Sequence, residues 1–286
     1  MNKKSRRKSL LSVALGICTL LFVVQATVYR NLEKRKARFV SPIYQDITLI
    51  RLQRINRLTG DAIILGSSIT ERLMASTTTA VLGVPSSPFT AGLKLLEGTV
   101  HFPAGTTYIL ETNNIFRDIY QSVLDDANKW EFKLWRNSSH FSMAAKPTNL
   151  TLSCIYYFLN PESRQAHIVQ PVEPISQPIN LANTESPTQE ELQKWSEILA
   201  GIDYIRRQGG KICFVQFPTR NATEFTDAFN KSKKLAKYLQ IPVLDYNTKE
   251  WRERLTFSDS RHLDSRANST AVLRETIARD AKACAK

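Results

Sequence analysis

Five short apolar runs alternate with helix-forming segments between residues 61 and 283, and this alternation restricts the possible folds more than any other feature. Strands that are apolar along their whole length are typical of parallel sheets, which are buried on both faces. The pattern therefore predicts an α/β fold, a doubly wound and mostly parallel sheet with helices on both faces. The predicted strands are 61–65, 79–82, 106–110, 211–217 and 241–245, and the predicted helices between and after them are 89–96, 188–207, 224–239 and 265–283.

The apolar stretch at residues 10–28 lies between two clusters of basic residues. A helix of this length would extend for roughly 28 Å, close to the thickness of a bilayer's hydrocarbon core. It predicts a transmembrane signal-anchor that follows a basic tail at residues 1–9, with the body of the chain extracytoplasmic, in a periplasm or at a cell surface. The alternative is a cleaved signal peptide, because Val24-Gln25-Ala26 resembles a cleavage site. The length of the apolar run favours the anchor.

The remaining chain divides into a connecting segment and a larger domain. Residues 29–57 are rich in charge and carry apolar residues at helical spacing, which predicts a stalk or first helix. Residues 58–286 form the predicted catalytic domain. Within it, residues 120–187 pass from an aromatic stretch into Pro-rich sequence, which favours an insertion that acts as a lid or contacts substrate.

The net charge of +13 raises the question of a nucleic-acid partner. The basic residues are scattered and no nucleic-acid motif is present, so attraction to an anionic membrane or an acidic polymer is the simpler interpretation. The four cysteines form no Cys-x-x-Cys pair and do not cluster with the four histidines. We therefore expect neither nucleic-acid binding nor a zinc site.

Ser68 follows the first predicted strand, at the start of a helix. Serine catalysis needs a base that takes the hydroxyl proton, an acid that orients this base and donors for the oxyanion. Among the histidines outside the insertion, only His262 has a nearby acid, Asp259, three residues earlier. Taken singly, Gly-Ser-Ser could be a helix cap and Asp259-Ser-Arg-His262 a polar loop before the last helix. In a parallel sheet both motifs would reach the same edge, so Ser68, Asp259 and His262 are the predicted catalytic residues.

The order of these motifs resembles the SGNH, or GDSL-like, family of hydrolases and acyltransferases. Gly66–Thr70 resembles the family's Gly-Asp-Ser block, with Ser67 where Asp is usual, and Asp259–His262 resembles its terminal Asp-x-x-His. The resemblance implies an SGNH/flavodoxin-like sheet and acyl transfer through an acyl-serine, without a metal or organic cofactor. His262 would deprotonate Ser68, and Asp259 would orient the imidazole.

The resemblance also implies donors for the oxyanion. Glu111–Asn114 resembles the Gly-x-Asn-Asp block, so Asn113 would donate through its side chain, with Asn114 as a rival and Glu111 where the family has Gly. Backbone N–H groups of Ser68 and of the second block would complete the set. In that block the donor would be Ser86 or, in a looser alignment, Gly83. Each of these residues could instead belong to an ordinary cap or turn.

An N-terminal anchor with a degenerate Gly-Asp-Ser block is similar to the membrane-tethered branch of the family, which modifies cell-envelope polysaccharides. The implied function is an O-acyl, in particular O-acetyl, esterase or acyltransferase acting on an envelope or exported polysaccharide. The bilayer, the polysaccharide and a membrane acyl-donor protein are its candidate partners. Two alternatives stay open: an inactive SGNH-like accessory or polysaccharide-binding protein, and a type II Golgi glycosyltransferase. The sequence has no Asp-x-Asp metal motif, which glycosyltransferases of that type commonly carry.

Overall fold

The computed structural model describes most of the chain as two compact units. The N-terminal unit comprises residues 1–50 and 129–166, and the sheet unit comprises residues 51–128 and 167–286. The described residues are 3–35, 39, 41, 44–55, 61–73, 76, 79–97, 103–130, 132, 143–159, 176–265 and 267–285.

Helices and strands alternate through the sheet unit. The strands are β1 (Ala62–Gly66), β2 (Thr79–Gly83), β3 (Thr107–Glu111), β4 (Lys211–Gln216) and β5 (Val243–Asp245). The helices of the described chain are α1 (Lys3–Lys34), α2 (Tyr44–Ile55), α3 (Ser68–Glu71), α4 (Phe89–Leu96), α5 (Gln121–Asn128), α6 (Pro147–Leu159), α7 (Gln189–Lys194), α8 (Ser196–Arg207), α9 (Thr226–Leu239), α10 (Lys249–Arg254) and α11 (Asn268–Cys284), with a short 3-10 helix at Met143–Ala145.

Helix α1 contains the apolar segment that the sequence suggested as an anchor. Its stretch Ser12–Lys34 is long and apolar enough to cross a membrane. The side chains from residue 12 to residue 24 are all exposed, as expected for a helix whose apolar surface needs an environment other than water.

The C-terminal part of α1 packs within the N-terminal unit. The Gln25 side-chain amide donates a hydrogen bond to the Ala145 carbonyl. The buried carboxylate of Asp46 binds Lys146 Nζ at 3.1 Å and Asn149 Nδ2 at 3.0 Å. Residues 129–166, which the sequence assigned to an insertion in the catalytic domain, therefore group with the N-terminal segment.

The sheet has the strand order β2-β1-β3-β4-β5, and every neighbouring pair is parallel. The predicted parallel α/β sheet is thus confirmed. Every residue of β1, β2 and β3 is buried, which explains why their sequences are mostly apolar rather than alternating. The predicted helix at 188–207 is two helices, α7 and α8, which meet at Trp195.

Helices cover both faces of the sheet. On one face, Leu273 and Ile277 of α11 share a buried apolar cluster with Ile64 and Ile109 of the strands. On the other face, α4 packs against β1, because a Cβ added at Gly92 would be in van der Waals contact with Leu65 Cδ2 at 3.4 Å. Within the sheet, β2 pairs with one edge of β1 and β3 with the other edge. The strand order therefore reverses between β1 and β3, and their carboxyl ends mark a topological switch point.

Gly83 is the close contact between β2 and α3. A Cβ at this position would lie 2.4 Å from both Glu71 N and Ser67 O, two backbone atoms that cannot rotate away. We expect Gly83→Ala to lower the free energy of unfolding by about 2 kcal/mol through overpacking. Urea unfolding of the detergent-solubilised chain measures this change.

Gly92→Ala is the matched control. Its Cβ would make only ordinary contacts, and alanine favours the helical conformation of α4, so stability should be unchanged or higher. Equal destabilisation by both substitutions would contradict the packing described for Gly83.

Candidate active site

The serine turn, residues 66–71, joins β1 to α3 at the carboxyl edge of the sheet. Ser67 is the extended N-cap residue, and its Oγ accepts a hydrogen bond from Ile69 N–H at 3.2 Å. Ser68 is the first residue of α3 and is partly exposed. A short polar cap on a buried strand end thus presents the Ser68 hydroxyl at the surface.

The Asp–His hairpin, residues 256–264, carries the predicted acid and base. Phe257 and Leu263 form an antiparallel bridge, and Ser258 N–H donates to the His262 carbonyl at 2.8 Å. Asp259 Oδ1 accepts hydrogen bonds from Arg261 N–H and His262 N–H, both at 2.8 Å. The three-residue spacing between Asp259 and His262 is therefore that of a turn which the aspartate itself stabilises.

The hairpin brings His262 to the serine turn. His262 Nδ1 lies 2.8 Å from Asp259 Oδ2, and Nε2 lies 3.0 Å from Ser68 Oγ. The carboxylate fixes the imidazole proton on Nδ1, so Nε2 is free to accept the Ser68 hydroxyl proton. The structure brings together the three residues that the sequence singled out, although Ser68 and His262 are 194 positions apart.

The pKa of Asp259 is lowered to about 2. Desolvation raises this pKa, but hydrogen bonds from Arg261 N–H, the His262 imidazole and His262 N–H together lower it by more. The side chain of Asp259 is 52% exposed and that of His262 is 22% exposed. The acid is thus a permanent carboxylate at neutral pH, in a site that solvent can reach.

Asn113 does not direct its amide at Ser68. Its Nδ2 donates to the Phe217 carbonyl at 3.0 Å, and its Oδ1 accepts from Phe217 N–H at 2.8 Å. The rival, Asn114, donates from Nδ2 to Ser67 Oγ at 2.8 Å and to Glu111 Oε1 at 3.1 Å. Asn113 therefore ties the end of β3 to the end of β4, and Asn114 supports the serine turn.

The two candidates for the second-block donor have different surroundings. Gly83 lies against the backbone of the serine turn, where its missing Cβ allows close packing. Ser86 is the exposed residue of an otherwise buried turn between β2 and α4, and its φ of 56° is a left-handed conformation that serine rarely adopts. Ser68 N–H, the third expected donor, has no hydrogen-bond partner within the described part of the chain.

Glu111 is a site residue that the sequence did not single out. It is 1% exposed, and its carboxylate accepts hydrogen bonds from the backbone and the hydroxyl of both Ser67 and Thr70. A Cβ at Gly66 would lie 2.3 Å from Glu111 Oε2, so the glycine opens the space that this carboxylate fills. The available signal was a single charge that ends the apolar run Thr107–Glu111.

The described residues contain no group of three or more His, Cys, Asp or Glu side chains that could hold a metal ion. Comparisons with protein-family models, curated proteins and solved structures gave no match to this chain. The chemistry of the site therefore has to be inferred from its own geometry.

The lowered pKa of Asp259 can be tested by carboxyl carbon NMR. In the wild type, the Asp259 signal should show no titration step between about pH 3 and pH 7, where an ordinary aspartate titrates near 3.9. Because the pKa is lowered, the carboxylate stabilises the folded hairpin above the ordinary pKa, and this contribution is lost as the pH falls through about 2. His262→Phe should raise the pKa by removing one of the hydrogen bonds. A wild-type step near the ordinary value would contradict the bonding pattern of the hairpin.

Proposed function

We propose that this chain is a membrane-anchored, extracytoplasmic serine O-acyl esterase or acyltransferase of the SGNH type. The observation that carries the proposal is the continuous hydrogen-bonded line from Ser68 Oγ through His262 to the Asp259 carboxylate, at 3.0 and 2.8 Å. A base between a hydroxyl and an orienting carboxylate is the arrangement that activates serine as a nucleophile.

In the first half-reaction, His262 Nε2 takes the Ser68 proton while Oγ attacks the carbonyl carbon of an ester. The carbonyl oxygen becomes an oxyanion, which Ser68 N–H is free to bind. The C–O bond to the leaving alcohol then breaks, and the alcohol takes the proton from His262. In the second half, water or a sugar hydroxyl gives its proton to His262 and attacks the acyl carbon. The bond between the acyl carbon and Ser68 Oγ then breaks, and His262 returns the proton to Oγ.

The topology supports the SGNH assignment. The order β2-β1-β3-β4-β5 is that of flavodoxin-like sheets, whose ligands bind at the β1/β3 switch point. Ser68 follows β1, and Asn113 follows β3, as the family's block order implies. Two features depart from it: Glu111 replaces glycine, and the Asn113 amide binds Phe217. The oxyanion site therefore depends most on Ser68 N–H.

Helix α1 and the openness of the site support the proposed compartment and substrate class. A helix able to cross a membrane would hold the catalytic unit next to the envelope. The half-exposed Asp259 and the partly exposed His262 leave room for a bulky acceptor or donor. An O-acylated or O-acyl-accepting envelope polysaccharide fits both features.

The test of serine activation is labelling by a fluorophosphonate, which reacts with activated serine hydroxyls. We expect the wild type to be labelled at Ser68, and Ser68→Ala to show no labelling. Ser196→Ala, at an exposed serine that begins α8, is the matched control and should label at the wild-type rate. Mass spectrometry of the labelled peptide identifies the residue.

Absence of labelling in a folded wild type would reject the esterase proposal. The non-catalytic accessory protein would then be favoured, because the commitment of the Asn113 amide to Phe217 would have removed a donor that the reaction needs.

The anchor has its own test. The full chain should stay in the membrane pellet after alkaline carbonate extraction, and its mass should include residues 1–28. Deletion of residues 1–28 should release the chain to the soluble fraction. A mature N-terminus just after Ala26 would instead identify a cleaved signal peptide.

A further inference from the structure

We infer that Glu111 is a positioning residue for the Ser68 nucleophile: its buried carboxylate fixes the serine turn and leaves Ser68 N–H as the turn's open donor. The inference rests on the proposed function. It assigns a role to a position at which the chain departs from the family pattern.

The Glu111 carboxylate has every hydrogen bond it can use. Oε2 accepts from Ser67 N–H at 2.7 Å, Thr70 N–H at 3.2 Å and Thr70 Oγ at 2.6 Å. Oε1 accepts from Ser67 Oγ at 2.6 Å and Asn114 Nδ2 at 3.1 Å. Five donors surround a carboxylate that offers about four lone-pair sites, so the Glu111 oxygens have no acceptor capacity left over.

Stability alone is a poor reason to keep this charge. Removing a carboxylate from water is costly, and apolar replacements of buried ionic groups are often neutral or stabilising. The partners of Glu111 are confined to Asn114 and to the residues on either side of Ser68. We therefore attribute the buried carboxylate to a structural need, which is to fix the geometry of the turn that holds Ser68.

The hydrogen bonds of the serine turn leave few backbone donors free. The N–H groups of Ser67 and Thr70 donate to the Glu111 carboxylate. The N–H of Ile69 donates to Ser67 Oγ, and that of Glu71 donates to the Ser67 carbonyl. In the described chain, Ser68 N–H is left without a partner. The donor on the nucleophile's own residue is thus held open at the point where the oxyanion would form.

Glu111→Gln tests this role with almost no change in shape. One acceptor oxygen becomes an NH2 group, which must face N–H or O–H donors, so the turn should shift. We expect the rate constant for fluorophosphonate labelling of Ser68 to fall about 100-fold, as for a displaced reacting group. The exchange variant Glu111→Gln/Asn114→Asp restores one carboxylate facing one amide, and it should recover most of the lost rate.

Asp280→Asn is the matched control. Asp280 is another fully buried carboxylate of the sheet unit, and it accepts the Tyr246 hydroxyl at 2.6 Å. This substitution should lower the unfolding temperature without changing the labelling rate of the folded protein. Should Glu111→Gln fail to fold, Thr70→Val removes one hydroxyl from the network and should slow labelling about tenfold.

Nitrogen NMR of the His262 ring separates this inference from the proposed function. If the wild type is not labelled, the proposed function fails, but the ring still reports its contact with Ser68 Oγ. The His262 signals should change in Glu111→Gln, return in the exchange variant and stay constant in Asp280→Asn. The inference would be overturned if Glu111→Gln were labelled at the wild-type rate and its His262 signals were unchanged.

Discussion

The parallel pairing of β1 with β2 on one side and β3 on the other is the constraint on which the site depends. The register sets Gly66 beside Gly83 and Leu65 beside Leu110, so the chain leaves all three strands at one level. In an antiparallel sheet, alternate strands would end at opposite edges. Here the serine turn, the end of β3 and the turn after β2 converge because every strand runs the same way.

Two glycines paired across β1 and β2 make this convergence tight. Gly66 leaves room for the Glu111 carboxylate, and Gly83 lets β2 approach the backbone of Ser67 and Glu71. A side chain at either position would meet atoms at 2.3 to 2.4 Å. The polar network of the serine turn therefore depends on the absence of a side chain at both glycines.

The parts of this arrangement that follow local rules could be predicted from the sequence. The strands are apolar because both of their faces are buried, and Asp259 reaches His262 within one turn. Ser68 could be located because a buried strand ends just before it. The α/β fold thus needed only neighbouring residues and the geometry of parallel sheets, and the choice of candidate residues needed in addition the resemblance of their motifs to the SGNH blocks.

The parts that depend on distant partners could not be predicted. Asn113 binds the backbone of Phe217, 104 positions away, and Glu111 binds the serine turn, 41 to 44 positions away. An asparagine after a strand looks the same whether it faces a substrate or a neighbouring backbone. Likewise, contacts such as Gln25 to Ala145, which accompany the grouping of residues 129–166 with the N-terminal segment, leave no pattern in the sequence.

The site consists of a buried half and a solvent-exposed half. Glu111 and Ser67 are each 1% exposed, whereas the side chain of Asp259 on the Asp–His hairpin is 52% exposed. The hairpin is held by its own bridge and by the ion pair of Arg261 with Glu224. Under the proposed function, a partly exposed nucleophile on a turn that is anchored in the core would attack from a defined direction. In the same proposal, a base at the surface would be open to a second hydroxyl, including one on a polymer too large to enter a closed pocket.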